Sequence, residues 1–228
     1  MIIVIDLFLF GINKSNFFVK KIILMKSKSL VALVMGLLIF TSCSDSKDRD
    51  DDVATAGEIK THQFLDARSY ANWVYFSFSR NEIVAVDDAQ NDANWDIAFH
   101  RGDVKLNGGK SGKGSSEAIN TAKTEWNAVT SAPTSGYAKD EIGKITTAFT
   151  GTGVTEEDQP FSQIVSTWLT VDTSTPPPKY TVHNYVYVLR SASGKYVKLQ
   201  LYDNKSATNA AGYVSFKYQY NAEGGSAF

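Results

Sequence analysis

Apolar residues alternate one-in-two through several closely spaced stretches of this chain, a period that suits strands and not helices. Residues 72–80 include Trp73-Val74-Tyr75-Phe76-Ser77-Phe78-Ser79, rich in β-branched and aromatic side chains, with Val74, Phe76 and Phe78 on one face. Glu82 to Val86 follows after a short turn and predicts a hairpin. Trp95, Ile97 and Phe99 then alternate with Asp96, Ala98 and His100. Between Lys195 and Tyr202 the pattern turns Val197, Leu199 and Leu201 inward and leaves Lys198 and Gln200 facing out. Val214, Phe216, Tyr218 and Tyr220 likewise oppose Ser215, Lys217 and Gln219. Gly, Asn and Asp turns separate these runs, so the expected fold is mainly β and mostly antiparallel.

One segment departs from that period. Phe161, Ile164, Val165, Trp168 and Leu169 recur at the spacing of one helix face, with Pro160 opening the run and Glu156, Glu157 and Asp158 placing negative charge at its start. This predicts one short helix over about Asp158 to Leu169, anchored by Trp168. Asn107 to Ser116, rich in Gly, Ser and Lys, and the polar stretch Thr130 to Glu157 read as loops. Thr173 to Pro178 ends in three prolines and should approach the next strand extended.

The N-terminal residues set the compartment. Lys26 and Lys28 precede an apolar segment from Leu30 to Phe40, and Thr41-Ser42 leads to Cys43, the one cysteine in the chain. A basic start, a short apolar core and small residues before a cut form an export signal. The core falls short of the about 20 residues that span a bilayer. A cysteine at the first mature position accepts a lipid, so Cys43 is read as the attachment site of a bacterial lipoprotein. Met25 begins a complete signal, which makes residues 1–24 an upstream extension and residues 25–42 the signal peptide. Residues 43–56, with their acidic run Asp48 to Asp52, read as a disordered tether. The folded domain is expected over residues 57–222, with residues 223–228 as a C-terminal tail.

Of the 23 Lys+Arg and 24 Asp+Glu, five lysines and one aspartate precede Cys43, which leaves the mature chain at a net charge of −5. That balance argues against a nucleic-acid partner, whose phosphates need a basic face. With Cys43 lipidated, neither a disulfide nor a cysteine nucleophile is available, and packing alone must hold the domain.

Gly108-Gly109-Lys110-Ser111-Gly112-Lys113-Gly114 resembles a phosphate-binding loop, but the glycine required five residues before Gly109 is Val104. A flexible glycine-rich turn is the better reading. The chain contains no Gly-x-Ser-x-Gly, no His-Glu-x-x-His and no Cys-x-x-Cys, and no carboxylate is singled out by a motif. The expectation is a protein that is not an enzyme. All three methionines (Met1, Met25 and Met35) precede Cys43, and three histidines remain. His62 reads as a surface residue and His100 as a hydrogen-bonded structural one. His183, beside Tyr180 and Tyr185, is the best placed to ligate a metal or haem, against the alternative of an ordinary polar strand position.

Taken in order, Trp95-Asp96-Ile97-Ala98-Phe99-His100-Arg101, Asn107-Gly108-Gly109, Thr124-Glu125-Trp126, Tyr187-Val188-Leu189-Arg190, Gly194 to Leu199 and Gly212 to Tyr218 resemble the HmuY-like family of surface haem-binding lipoproteins. The similarity runs from about Ile59 to Tyr220. It implies a hand-like β domain that grips haem and passes it to a TonB-dependent outer-membrane receptor for iron acquisition. It also implies a lipid anchor in the outer membrane, facing the cell exterior. Family members hold the iron with two His or two Met from two regions, which correspond here to Ala128–Gln159 and Asp172–Lys179. Neither region contains either residue type. The expected ligands are therefore Tyr137 in the first and His183 just beyond the second, since tyrosinate and imidazole both bind haem iron. Lys110, Lys113 and Lys139 are candidates for the haem propionates. The alternative is a relative that has lost haem ligation and binds another ligand, such as a glycan, another porphyrin or a surface protein, with tyrosines around Tyr180 to Tyr187 for stacking.

Overall fold

The computed structural model describes residues 57–150 and 153–228. Cys43, the signal segment and the whole of the acidic tether lie outside them. The described chain is mostly β and antiparallel throughout its pairings. Strands β1 (Ile59–Asp66), β6 (Glu117–Asn120), β11 (Val186–Arg190), β12 (Tyr196–Lys205) and β13 (Ala211–Tyr220) form a five-stranded sheet in the order β1-β13-β12-β11-β6. Strands β2 (Val74–Ser77), β3 (Glu82–Val84), β4 (Ile97–His100) and β5 (Asp103–Leu106) form a four-stranded sheet in the order β3-β2-β4-β5. Two ribbons complete the fold, β7 (Glu141–Phe149) with β8 (Val154–Phe161) and β9 (Leu169–Asp172) with β10 (Lys179–Val182).

The two larger sheets bury their apolar faces in one core. Phe76, Ile97, Phe99, Val104 and Leu106 come from the smaller sheet, Phe78 from the turn just after β2, and Tyr187, Leu189, Leu199, Leu201, Val214, Phe216 and Tyr218 from the larger. Each such side chain contributes roughly 1.5–3 kcal/mol on leaving water. Trp168 anchors the base of the β9–β10 ribbon in this core, and its indole Nε1 donates to the Gly102 carbonyl at 2.8 Å.

The outer face of the large sheet is covered as well, contrary to the expectation for Lys198 and Gln200. Val186 and Val188 on that face pack with Trp126, Val129 and Ala132 in a second apolar cluster. Lys198 is consequently buried, its ammonium donating to the Val129 carbonyl at 2.9 Å and lying 4.4 Å from the Trp126 ring centroid. Gln200 Nε2 donates to the carbonyls of Thr124 at 2.7 Å and Asn184 at 2.6 Å. Residues 223–228 join this layer: Phe228 packs on the cluster and donates its N–H to the Thr130 carbonyl at 2.8 Å.

Three local expectations change. The predicted helix over Asp158–Leu169 is a strand to Phe161 followed by a short 3₁₀ turn, Val165–Trp168. Pairing of β8 with β7, Lys144 opposite Asp158 and Glu141 opposite Phe161, holds the first half extended. Ser162 to Trp168 alone curls, with Val165 and Trp168 facing the core. The loop expected over Thr130–Glu157 contains the whole of β7 and the start of β8, a ribbon in which Ile145 alone is fully buried and which therefore leaves no period in the sequence. The Asn107–Ser116 loop is irregular as expected but packed: Asn107 Nδ2 donates to the Trp95 carbonyl at 2.8 Å, and its Oδ1 accepts the Gly114 N–H at 3.0 Å. His62 is half-buried rather than a surface residue, stacked 5.1 Å from Phe216, because β1 pairs with β13 at the sheet edge and brings the two together.

Candidate functional site

The β7–β8 and β9–β10 ribbons enclose a cleft of about 580 Å³ against the open end of the two sheets, within the volume range of small-molecule sites. The first ribbon contributes Lys144, Phe149, Val154 and Glu156, and the second Leu169, Val171, Pro178 and Tyr180. Tyr70, Arg101, Gly102, Asp103, Asn204 and Gly212 form the floor. Strand alternation decides which side chains face in. Val171 pairs with Tyr180 and Leu169 with Val182, so these two pairs share the cleft-and-core face. Thr170 and Thr181 pair on the opposite face.

Apolar walls dominate the upper part of the cleft. Phe149 and Val154 face each other across the end of the first ribbon and, with Val171, are large apolar residues left substantially exposed. Such residues concentrated around a concavity mark a binding surface. Charge sits lower. Lys144 pairs with Asp158 at 3.2 Å, and His100 Nδ1 lies 3.4 Å from Asp103 Oδ2. Arg101 lies at the β4–β5 turn with φ +54°, a left-handed conformation that a non-glycine side chain seldom adopts. Its guanidinium stacks 4.2 Å from the Tyr70 ring centroid and donates to the Arg68 carbonyl at 3.0 Å. Among the described residues it forms no ion pair.

The expected iron ligands lie elsewhere. Tyr137 packs on the outer face of the large sheet with Val186 and Val188, and its hydroxyl donates to the Pro133 carbonyl at 3.0 Å. Burial, followed by the neighbouring Tyr196, raises its pKa and disfavours the tyrosinate that would bind iron. His183 follows β10 on the far side of its ribbon: its Nε2 lies 2.8 Å from Thr170 Oγ1, and its ring stacks at 5.4 Å on Tyr185. Neither residue lines the cleft. Lys110, Lys113 and Lys139 are also absent from its walls. His100, by contrast, is the buried structural histidine expected, against Asp103 and 5.1 Å from the Trp73 ring.

Sequence reading missed Tyr70, Arg101 and Asn204 because no motif joins them. They meet only when the β4–β5 turn, the segment after β1 and the end of β12 converge. Tyr180 was visible as an exposed tyrosine, but nothing in its neighbours assigned it to a cleft. The two regions Ala128–Gln159 and Asp172–Lys179 do converge there, through Lys144, Phe149, Val154 and Glu156 on one wall and Thr173 and Pro178 on the other.

Residues 69–218 match the family model described as HmuY protein. No curated protein matches the chain. Among solved structures, a Bacteroides vulgatus protein assigned as HmuY-like and haem-binding is 27% identical, with TM-score 0.60, over 72% of this chain and 92% of that one. A Bacteroides fragilis protein assigned as a lipoprotein is 29% identical, also with TM-score 0.60, over 75% and 92% of the two chains. The apo HmuY analogue of Tannerella forsythia shares the fold at 23% identity and TM-score 0.55, over 75% and 99%.

Proposed function

This chain belongs to the HmuY family, and from that premise we propose that it binds haem in the cleft between its two ribbons, without enzymatic turnover. The observation that carries the reading is the convergence of Lys144, Phe149, Val154 and Glu156 with Val171, Thr173, Pro178 and Tyr180 on one concavity with apolar upper walls. A planar, largely apolar macrocycle with charged substituents suits such a site: Phe149, Val154, Val171 and Leu169 offer contact area, and Tyr70 and Tyr180 offer stacking faces. Lipidation at Cys43 would tether the domain to the outer membrane, facing outward. The bound haem would then pass to a TonB-dependent receptor for iron uptake.

Iron ligation is proposed through oxygen before nitrogen. Tyr180 already lines the cleft, and a phenolate is an established type of haem ligand. Engagement of His183 would require breaking its Thr170 contact and carrying the ring around the ribbon. Engagement of Tyr137 would require loss of its Pro133 bond and a move from the other side of the sheet. Titration of the domain (residues 50–228) with haemin, followed at the Soret band, tests the reading. A saturable shift at micromolar haemin that weakens in Tyr180→Phe supports it. An unperturbed free-haemin spectrum refutes it.

A second reading rests on the cleft's own chemistry, whose lining includes neither His nor Met. A relative that binds a glycan or a metal-free porphyrin would need no such ligand. Protein that purifies colourless from haem-replete cells, yet binds glycans or protoporphyrin, would favour it.

A further inference from the structure

Asn204 is 3% exposed, and its Nδ2 has no hydrogen-bond partner among the described residues. A buried amide N–H without an acceptor costs on the order of 1–3 kcal/mol, so such a group calls for an explanation. Its position supplies one. Strand β12 shifts register against β13 between Leu201 and Asp203 and again between Asp203 and Lys205. Bulges of this kind re-aim a side chain, and here Asn204 joins the cleft floor.

Arg101 stands at the same corner. Gly212 lines the same floor, and because its neighbour Ala211 pairs with Lys205 it lies across the strands from Asn204. Its φ is +95°, and a Cβ there would meet Arg68 Cγ at 2.9 Å and Arg101 Nη1 at 3.5 Å. A side chain there would press on Arg68 and touch the Arg101 guanidinium, so the corner takes a glycine. The corner holds a planar cation with no carboxylate partner, fixed by stacking on Tyr70, and a buried amide donor with nothing to donate to. The nearby anions are otherwise engaged or more distant in the fold: Asp103 faces His100, and Glu156 belongs to the opposite ribbon.

We infer that the Asn204–Arg101 corner is a carboxylate-binding subsite that receives one acidic arm of the ligand and fixes its orientation in the cleft. The inference rests on the cleft reading above and gives it a chemical selectivity: for a porphyrin, the arm is a propionate. Guanidinium and amide donors together give a carboxylate charge-assisted hydrogen bonds, stronger than neutral ones. Esterified porphyrin loses the charge and keeps the ring. The subsite therefore discriminates between ligands that differ only at the propionates, independently of what binds the metal.

The test uses quenching of intrinsic tryptophan fluorescence by metal-free protoporphyrin IX and by its dimethyl ester, with haemin as a third ligand. The free acid should bind wild-type protein roughly tenfold or more tightly than the ester. Asn204→Asp, which sets a carboxylate against a carboxylate, should abolish that preference, while Asn204→Gln should retain part of it. Thermal melts check that each variant folds. The wild-type comparison of acid and ester needs no variant. Equal affinity for acid and ester, or an unchanged preference in Asn204→Asp, overturns the subsite while leaving the cleft as a porphyrin site. Binding of none of the three ligands overturns both.

Discussion

Ser111 donates its hydroxyl to Asp140 Oδ2 at 2.6 Å, and the same carboxylate oxygen accepts the Leu106 N–H at 2.7 Å. Asp140 immediately precedes β7, so this fully buried carboxylate ties the glycine-rich turn and β5 to the base of the ribbon that walls the cleft. The other carboxylate oxygen, Oδ1, has no partner among the described residues. Burial pushes its pKa up from 3.8 to about 7, against the lowering effect of the Leu106 and Ser111 hydrogen bonds and of the nearby Lys105.

The sign of the resulting pH dependence follows from linkage. A carboxyl whose pKa is higher in the folded state binds its proton more tightly there, so its contribution favours folding at low pH. That contribution is lost as pH rises from about 4 to about 7 and stays level above. Thermal unfolding at pH 5 and pH 8 should show the loss, and Asp140→Asn should reduce the difference. Asp96, which burial also pushes up, contributes with the same sign. An undiminished slope in Asp140→Asn would assign the effect to other groups.

The turn beside Asp140 requires two glycines for different reasons. Gly109 has φ +59°, and a Cβ on it would collide with the Asp140 backbone oxygen. Gly108 has no room because the Ser116 backbone lies against it. Gly108→Ala and Gly109→Ala should each cost about 2 kcal/mol or more, a fall in Tm of roughly 4–8 °C for a domain of this size. Gly153→Ala, where a Cβ meets nothing within 4 Å, is the control and should leave Tm unchanged.

The same turn shows what was legible in the sequence. Asn107-Gly108-Gly109 was readable as a turn and as part of a family pattern, but its rigidity was not, because Asp140 reaches it from a distant segment. Strands of the two large sheets announced themselves by alternation, since each has a face in the shared core. The β7–β8 ribbon did not, because Glu141–Phe149 and Val154–Phe161 have few buried residues to mark a period. Lys198 and Gln200 were misread for the converse reason: a layer made by residues 124–132 and 223–228 covers a face that polar side chains had marked as wet. The cleft was only half legible. Its two wall regions came from the resemblance, whereas Arg101 and Asn204 depend on a strained turn and a bulge that carry no sequence signature.

Lys198 gives that misreading a measurable consequence. Its ammonium satisfies the Val129 carbonyl and lies over Trp126, while burial, then repulsion from Lys217, pushes its pKa down to about 8. Lys198→Ala leaves the carbonyl unpaired and a gap against the indole, and should cost about 1–3 kcal/mol in chemical denaturation. Lys110→Ala, at an exposed turn, should stay within about 0.5 kcal/mol. Equal effects would mean that the outer layer adds nothing to stability.

The two sides of the β9–β10 ribbon offer the sharpest separation of iron ligands. Tyr180 shares its face with Val171 in the cleft, whereas His183 is held on the other side against Thr170. Ligation by a phenolate gives a high-spin ferric spectrum with a charge-transfer band that a histidine pair lacks. With haemin bound, Tyr180→Phe should therefore shift the Soret maximum and remove that band, and His183→Ala should change neither. His183→Ala should instead lower Tm slightly, because it deletes one exposed hydrogen bond to Thr170 and the stack on Tyr185, together about 1 kcal/mol. The opposite pattern, with the spectrum lost in His183→Ala and kept in Tyr180→Phe, would show that haem binding turns the ribbon end over and brings the imidazole to the iron.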